Sequence, residues 1–572
     1  MKVSFPFWIV LVASLATFAL KCKVTYSVQW IGNTDSAVFA ETADSFVRGR
    51  GLSTDFIQYS YFYSPLQYPE INHPDAHYPP LYSLLTVPFY LVFGKTAFAA
   101  KLPAMLVSSI LLPIFLYLLT LRLSKNRIPA MASALCMIVF PNIFEHSLVP
   151  DDDGIYHFMV IASCFLIIMA IDTPKYFYVA GVFIGLSYYA KGSGLILIPI
   201  YFLFCLIRGG PKILRNRKLW YCFLIVFLVM LPWFLRNTIH FSKPNFSTQQ
   251  YAAGYIGYKR WEEGTYSLYW NVDRPTLFSK LREAGPKQVW SQSKDFLKTF
   301  WWWSFVDIDE SWGGFEVKDF YTYSTGIPAA IGFLLFYLSC FYFSFCRFLF
   351  PGKMQLKPRE IHKIMHDFFE PWHNRDFHVL WLVLLGSMVF LAVCWEPIER
   401  LAYPFIAINM AVGWTTYYVG IKKICKLSVW SKQANRIIPC LLMLLMLPIL
   451  LKSTAKIYDE CKEKDFPYGE DKQVWMKTGK WIHENLPGSI MMFREPAQLH
   501  FYSQEKTIQI PLANLDQIIQ VMKFYKVTHI IPKLTMRPAL KSLVEGKIPG
   551  FKLVYNQGLE IYEIDYSVLP LY

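Results

Sequence analysis

From the N-terminus to about residue 452 the chain alternates long apolar runs with short polar loops. The runs lack both the period of two of a half-buried strand and the one-sided stripe of a surface helix. A run that is apolar all round and long enough to cross ~30 Å of hydrocarbon is read as a membrane helix, because only a helix satisfies its own backbone there. The pattern predicts spans near 5–21, 98–121, 128–148, 155–172, 176–190, 193–208, 219–236, 326–348, 379–395, 401–420 and 437–452, about eleven in all. The first, "FPFWIVLVASLATFAL", is followed by "KCKVTY" without a small-residue cleavage pattern, so it reads as a retained helix and not a signal peptide. The stretch 78–94, "YPPLYSLLTVPFYLVFG", is short, opens on a proline pair and contains Pro88; it suits a helix lying in the interface or re-entering it.

Beyond residue 452 the pattern changes. "DKQVWMKTGKWIHENLPG" has a helical period, "SIMMFR", "TIQIPL" and "THIIPKL" are strand-like, and "FKLVYNQGLEIYEI" reads as a hairpin around Gln557-Gly558. The expected architecture is an α-helical polytopic membrane domain over 1–452 followed by a small soluble α/β domain over 453–572. The tail has no G-x-G-x-x-G and no P-loop pattern, so nothing there supports a nucleotide site.

Composition agrees with a membrane protein: 54% of the 572 residues are hydrophobic and only 17% charged. The formal charge of +15 raises the question of nucleic acid, but the distribution answers it. Basic residues crowd alternate loops: Arg122, Lys125 and Arg127; Arg208, Lys212, Arg215, Arg217 and Lys218; Lys353, Lys357, Arg359 and Lys363; Lys422, Lys423, Lys426 and Lys432. That asymmetry marks these four loops as cytoplasmic and makes a nucleic-acid partner unnecessary. The other face then receives residues 22–97, the acidic loop 149–154, residues 237–325 and the tail; the expected location is a bacterial cytoplasmic membrane with these pieces extracytoplasmic. The 11 cysteines show no metal-type or disulfide-framework spacing.

Candidate chemistry gathers on that second face. Asp35 lies where an amphipathic helix begins, with Asn33 or Thr34 as cap; its plain role is to complement the helix dipole. "LVPDDDGIYHF" sets Asp151, Asp152 and Asp153 side by side, with Asp153-Gly154 capping a helix expected from 155. One carboxylate suffices for a cap. Three at a membrane boundary repel one another and call for a cation, a metal or a proton-transfer role. Lys191 in "SYYAKGSGL", Arg236 in "LPWFLRN" and Arg400 in "WEPIERLAYP" each sit at a span end, where a lone cation merely snorkels; as a set they suit an anionic group at headgroup level. Trp261, Trp270, Trp290, Trp301, Trp302, Trp303 and Trp312 give the loop 237–325 an aromatic belt or a wall for lipid or sugar.

The order of these segments resembles the GT-C superfamily of integral-membrane glycosyltransferases, in its protein O-mannosyltransferase and aminoarabinose-transferase branch. The resemblance rests on "NTDSAVFAETADSFVRGRGLS", "HYPPLYSLL", the acidic second loop, "YYAKGSG", "LPWFLRN" with "FSKPNFST", the "ER-x-x-YP" element and the tail "WIHENLPGSIMMFREPAQLHFYSQEKTIQIP". It implies that Asp35 is the catalytic carboxylate of the first external loop, and that Asp153, with Asp152 as rival, is the second acid. It further implies that Lys191, Arg236 and Arg400 handle a lipid phosphate, and that His77, Tyr78, Asp151 and Tyr403 bind substrate. Tyr78 separates His77 from Pro79 and Pro80, a departure from the family's His-Pro-Pro element. The activity so implied moves a sugar from a polyprenyl-phosphate donor to a lipid, glycan or protein acceptor with inversion. No cofactor is required by it; a divalent metal stays open because three carboxylates offer the oxygen ligands that Mg, Mn or Ca prefer. Two other classes compete: a transporter or lipid-flipping protein relaying protons, which would place its acids at mid-span, and a glycan-binding scaffold working through its tail.

Overall fold

The computed structural model describes residues 4–58, 68–249, 277–305, 325–349, 360–394, 403–427, 455, 472–532 and 538–569. Helix α1 (Phe5–Ser27) precedes α2 (Thr34–Val47), whose Asn33 cap accepts from the Ser36 amide. Three two-residue strands follow, β1 (Ser53–Thr54), β2 (Phe56–Ile57) and β3 (His73–Pro74). Then come α3 (Leu81–Phe93), α4 (Ala97–Leu106), a π-helical turn at Val107–Leu111, α5 (Leu112–Ser124), α6 (Arg127–Ile138) and α7 (Pro141–His146). The bundle continues with α8 (Asp153–Asp172), α9 (Tyr176–Ala190), α10 (Leu197–Gly209) and α11 (Arg217–Phe241). Helices Leu277–Phe305, Ile327–Leu349, Glu360–Phe369, Phe377–Cys394 and Tyr403–Leu427 complete it.

The eleven expected spans are counted over the whole chain, part of which lies outside the described residues. Among the described residues six helices are long and apolar enough to cross a membrane, or seven if the pair Met365–His373 and Phe377–Val393, bent by 62°, is one span. The run 128–148 is not one helix: α6 stops at Ile138 and α7 starts at Pro141, where a proline lacks the amide that would continue the ladder. Tyr176–Ala190 is apolar but short of a full crossing. The run 437–452 lies outside the described residues, as do Trp261, Trp270 and Trp312; Trp290 is exposed.

Packing and charge set the bundle's two ends. On α9 a Cβ at Gly181 would fall 2.5 Å from the Cys222 carbonyl, and one at Gly185 2.8 Å from Val229 Cβ, so only glycine lets α9 and α11 approach this closely. Helix α8 spans ~30 Å at 1.5 Å per residue, with Asp153 at one end and Asp172 at the other. Asp172 pairs with Arg122, while Arg122 Nε and Arg208 Nε each lie 3.2 Å from the Asp376 carboxylate. That lattice marks the end with the basic loops; Asp153 and Lys191 are at the opposite end.

The tail folds onto this opposite end. Helix Lys472–Asn485 leads into β4 (Ile490–Phe493), helix Pro496–Ser503, β5 (Lys506–Gln509), helix Leu515–Tyr525, β6 (His529–Ile530), β7 (Phe551–Tyr555) and β8 (Ile561–Ile564). The sheet order is β2-β5-β4-β6-β8-β7, parallel from β2 to β6 and antiparallel beyond. Its first strand comes from the first loop: Phe56 pairs with Thr507 and Ile57 with Ile508. A strand from the loop before α3 is thus an edge of the sheet formed by residues 490–564.

Candidate active site

The acidic loop is organised by its first member. Asp151 Oδ1 accepts from the Asp153 amide at 2.8 Å, so the turn into α8 is held by Asp151 and the helix begins at Asp153, two residues earlier than expected. The Asp151 side chain thus holds the turn, the N-cap residue Asp152 makes no side-chain capping bond, and Asp152 and Asp153 are both buried. One carboxylate oxygen from each of the three lies within 4.8 Å of the others. Lys191, extended at the end of α9, brings its ammonium directly onto Asp153 Oδ1 and to 3.5 Å from Asp152 Oδ1. His146 Nδ1 stands 3.8 Å from Asp151 Oδ2.

The first loop meets this cluster. Asp35 is in the first turn of α2, and the next residue, Ser36, donates from Oγ to the Pro150 carbonyl at 2.7 Å. Asp35 is thereby set beside the start of the triple Asp. Its negative charge also reaches His77, as does that of Asp75, whose Oδ1 accepts from the His77 amide at 2.9 Å. Burial outweighs both acids and pushes the His77 pKa down to about 4. Tyr78 packs its ring edge-on to His77 and 4.7 Å from Phe39 of α2.

A third segment, just after α11, closes the circuit. Thr248 lies with Oγ1 2.8 Å from His77 Nδ1, and its amide donates to the Ala76 carbonyl at 2.9 Å. Ser247 Oγ donates to the His77 carbonyl at 3.1 Å. Gln249 Oε1 borders Gly192, next to Lys191. The circuit runs Asp35, His77, Thr248, Gln249, Lys191, Asp153, Asp151, Pro150 and back to Ser36. Arg236 lies beside it: its guanidinium donates to Asn237 Oδ1 at 3.0 Å and the Leu52 carbonyl at 2.8 Å, over the Trp233 ring. Asn237 in turn donates to the Phe246 carbonyl at 3.1 Å.

The structure therefore gathers Asp35, His77, Tyr78, Asp151, Asp152, Asp153 and Lys191 at one end of the bundle, with Arg236 adjoining. Arg400 and the side chain of Tyr403 lie outside the described residues. Ser36, His146, Thr248 and Gln249 were not singled out from sequence; "FSKPNFST" was the available signal for Thr248 but names no chemistry by itself. A hard divalent ion fits the donor chemistry of the three carboxylates, provided that the Lys191 ammonium gives up its place on two of them.

Comparison with known proteins bears on what such a circuit does. The family model for dolichyl-phosphate-mannose-protein mannosyltransferases matches residues 77–235. The structure superposes on ArnT from Cupriavidus metallidurans bound to undecaprenyl phosphate, with a TM-score of 0.55 over 100% of both chains at 12% identity. It also superposes on the Archaeoglobus fulgidus oligosaccharyltransferase tethered to an acceptor peptide, with a TM-score of 0.54 over 100% of this chain and 75% of that one at 14% identity. The fold is that of the GT-C glycosyltransferases. A third GT-C structure, AglB from Archaeoglobus fulgidus with an inhibitory peptide and a dolichol-phosphate, gives a TM-score of 0.51 over 98% of this chain and 75% of that one at 13% identity. No curated protein sequence matches the chain. Within this GT-C fold the family match begins at His77 and takes in the triple Asp and Lys191, while Asp35 lies outside it.

Proposed function

We propose that the protein transfers a sugar from a polyprenyl-phosphate donor to an acceptor hydroxyl or amine, at the extracytoplasmic face of a bacterial cytoplasmic membrane. The observation that carries this reading is the 2.7 Å hydrogen bond from Ser36 Oγ to the Pro150 carbonyl, which puts the first turn of α2 against the triple-Asp loop at the end of the bundle away from the basic loops. The family match and the lipid-phosphate-bound GT-C structures support it.

The chemistry needs a base more than an acid. A sugar joined through its anomeric carbon to a lipid phosphate departs as a phosphate, already a good leaving group, so catalysis rests on activating the acceptor and stabilising the phosphate. Asp35 takes the acceptor proton as the acceptor attacks, the anomeric C–O bond breaks through an oxocarbenium-like state, and the configuration inverts. Asp152 and Asp153, anchored by Lys191, orient the acceptor, with His77, Tyr78, Asp151 and Tyr403 lining the binding site. Arg236, Arg400 and Lys191 answer the phosphate charge.

A carrier reading gains nothing from this placement, because the acids cluster at a bundle end and not at mid-span. No cofactor enters the step, and Lys191 supplies the positive charge that a metal would bring to Asp152 and Asp153. The test is incubation of the purified protein with a panel of polyprenyl-phosphate sugars, with and without chelator, scored by mass spectrometry. Consumption of one donor with release of polyprenyl phosphate, unchanged by chelator, is expected. Failure to consume any donor would contradict the reading, and chelator-sensitive turnover would move the cation role from Lys191 to a metal.

A further inference from the structure

The entry to α2 is held from outside by a single short stretch of the C-terminal domain. Tyr502 Oη accepts from the Ile31 amide at 2.8 Å, and Gln498 Nε2 donates to the Gly32 carbonyl at 2.8 Å. Glu495 Oε2 accepts from Thr34 Oγ1 at 2.6 Å. Trp30 stacks on the Tyr502 ring at 5.8 Å. Further along α2, His500 Nε2 sits 3.0 Å from Glu41 Oε2, and Lys95 Nζ 2.7 Å from Glu41 Oε1. Residues 31, 32 and 34 lead directly into Asp35, and four polar contacts from residues 495–502 fall on Ile31, Gly32, Thr34 and Glu41, beside the Trp30–Tyr502 stack.

Local preference alone does not fix this turn. Gly32 has φ +119°, a region that L side chains rarely adopt, and a Cβ there would lie 2.5 Å from Ser36 Oγ. A glycine in such a conformation is permissive, not prescriptive; something else must select it. The carbonyl of Gly32 and the amide of Ile31 are each satisfied by a side chain from helix Pro496–Ser503, and these contacts select it. The far end of the clamp is a buried charge cluster. Glu41 is 1% exposed, and burial raises its pKa, but Lys95 and His500 against its two oxygens outweigh that and hold it down to about 2. The other ring nitrogen of His500, Nδ1, faces the Glu505 carbonyl at 2.6 Å, so the imidazole is anchored within its own domain while it grips α2.

We propose that Glu495, Gln498, His500 and Tyr502 are positioning residues for Asp35: the C-terminal domain sets the turn 31–34 and the direction of α2, and thereby aims the carboxylate at the acceptor. This rests on the reading of Asp35 as base. The tail is then a part of the catalytic apparatus that touches no reacting atom, and not a separate glycan-binding module. Misplacing a base by about an ångström costs on the order of a hundredfold in rate, so loosening one anchor should be felt in turnover well before it is felt in donor binding.

The test compares Thr34→Val, Thr34→Ser, Gln498→Leu and Asp35→Asn in full-length protein, with steady-state transfer from the polyprenyl-phosphate sugar that the wild type consumes and hydrogen exchange followed along the whole chain. Thr34→Val and Gln498→Leu should each lower kcat about tenfold or more with donor KM within about twofold, raise exchange in residues 31–40 and leave α8 unchanged. Thr34→Ser, which keeps the hydroxyl that Glu495 accepts from, should restore most of the rate. Wild-type kcat in Thr34→Val and Gln498→Leu alongside an inactive Asp35→Asn would overturn the clamp and spare the base. A rate loss accompanied by faster exchange throughout the chain, or confined to KM, would make the contacts merely structural and overturn it as well. An active Asp35→Asn would remove both readings.

Discussion

Replacing Lys191 by Met keeps the length of the side chain and removes the ammonium from two buried carboxylates. In the wild type the ammonium contacts Asp153 Oδ1 and lies 3.5 Å from Asp152 Oδ1, with side-chain exposures of 19% for Lys191, 9% for Asp152 and 4% for Asp153. At 3.5 Å and an effective dielectric of ~20, one such pair is worth roughly 5 kcal/mol gross. Most of that offsets desolvation, and the net cost of removing one partner of a buried pair is about 3–5 kcal/mol. Partial exposure of Lys191 places the loss near ~3 kcal/mol. Among the described residues Asp153 Oδ2 has no hydrogen-bonding partner to absorb the change. Combining Lys191→Met with Asp153→Asn removes one of the two stranded charges and should recover about half the loss, a coupling on the order of 1–2 kcal/mol. Unfolding of the detergent-solubilised protein by denaturant, run as a double-mutant cycle, measures both numbers. A Lys191→Met variant within about 0.5 kcal/mol of wild type, or strictly additive losses in the cycle, would refute the claim that Lys191 anchors the acidic loop.

His77 has a folded-state pKa of about 4 against an ordinary 6.5, so the stability it contributes is complete above pH 6.5 and is lost as pH falls towards 4, by about 3 kcal/mol; unfolding followed from pH 7 to 4 checks this, and a His77→Gln variant should flatten the slope. Because the Asp35 charge pulls that pKa upward, Asp35→Asn should lower it further, as read by histidine-specific deuterium exchange. Gly32→Ala should cost about 1–3 kcal/mol through its positive φ and, by displacing Ser36 from the Pro150 carbonyl, should cut transfer more than it cuts donor affinity; equal loss of both would argue against a role for that contact.

Local chemistry was legible in the sequence where it is carried by neighbours in the chain. The Asn33 cap, the apolar runs that become α8 and α11, and the turn at Gln557-Gly558 joining β7 to β8 are all short-range patterns. The break between α6 and α7 was hidden because Pro141 directly follows the wholly apolar run Met137 to Phe140. Strand β2 could not be read at all: two residues carry no periodicity, and their partners Thr507 and Ile508 lie some 450 positions away. The triple Asp announced itself as a site, but the division of labour inside it did not. That Asp151 makes the turn while Lys191 holds Asp152 and Asp153 depends on how α9 ends, with Lys191 in extended backbone before a turn that brings Gly194 against the Ser187 carbonyl. Thr248 and Gln249 had no chemical signature either; they acquire one only by lying against His77 and Gly192.

Single-turnover transfer by Asp35→Asn from the consumed polyprenyl-phosphate sugar tests the role of Asp35 as the base. Asn preserves the size and the first-turn position while removing the base, so the rate should fall by about 10²–10⁴ with donor binding retained. A rate within a few-fold of wild type would show that the acceptor proton goes elsewhere, and would contradict the assignment of this carboxylate as the base.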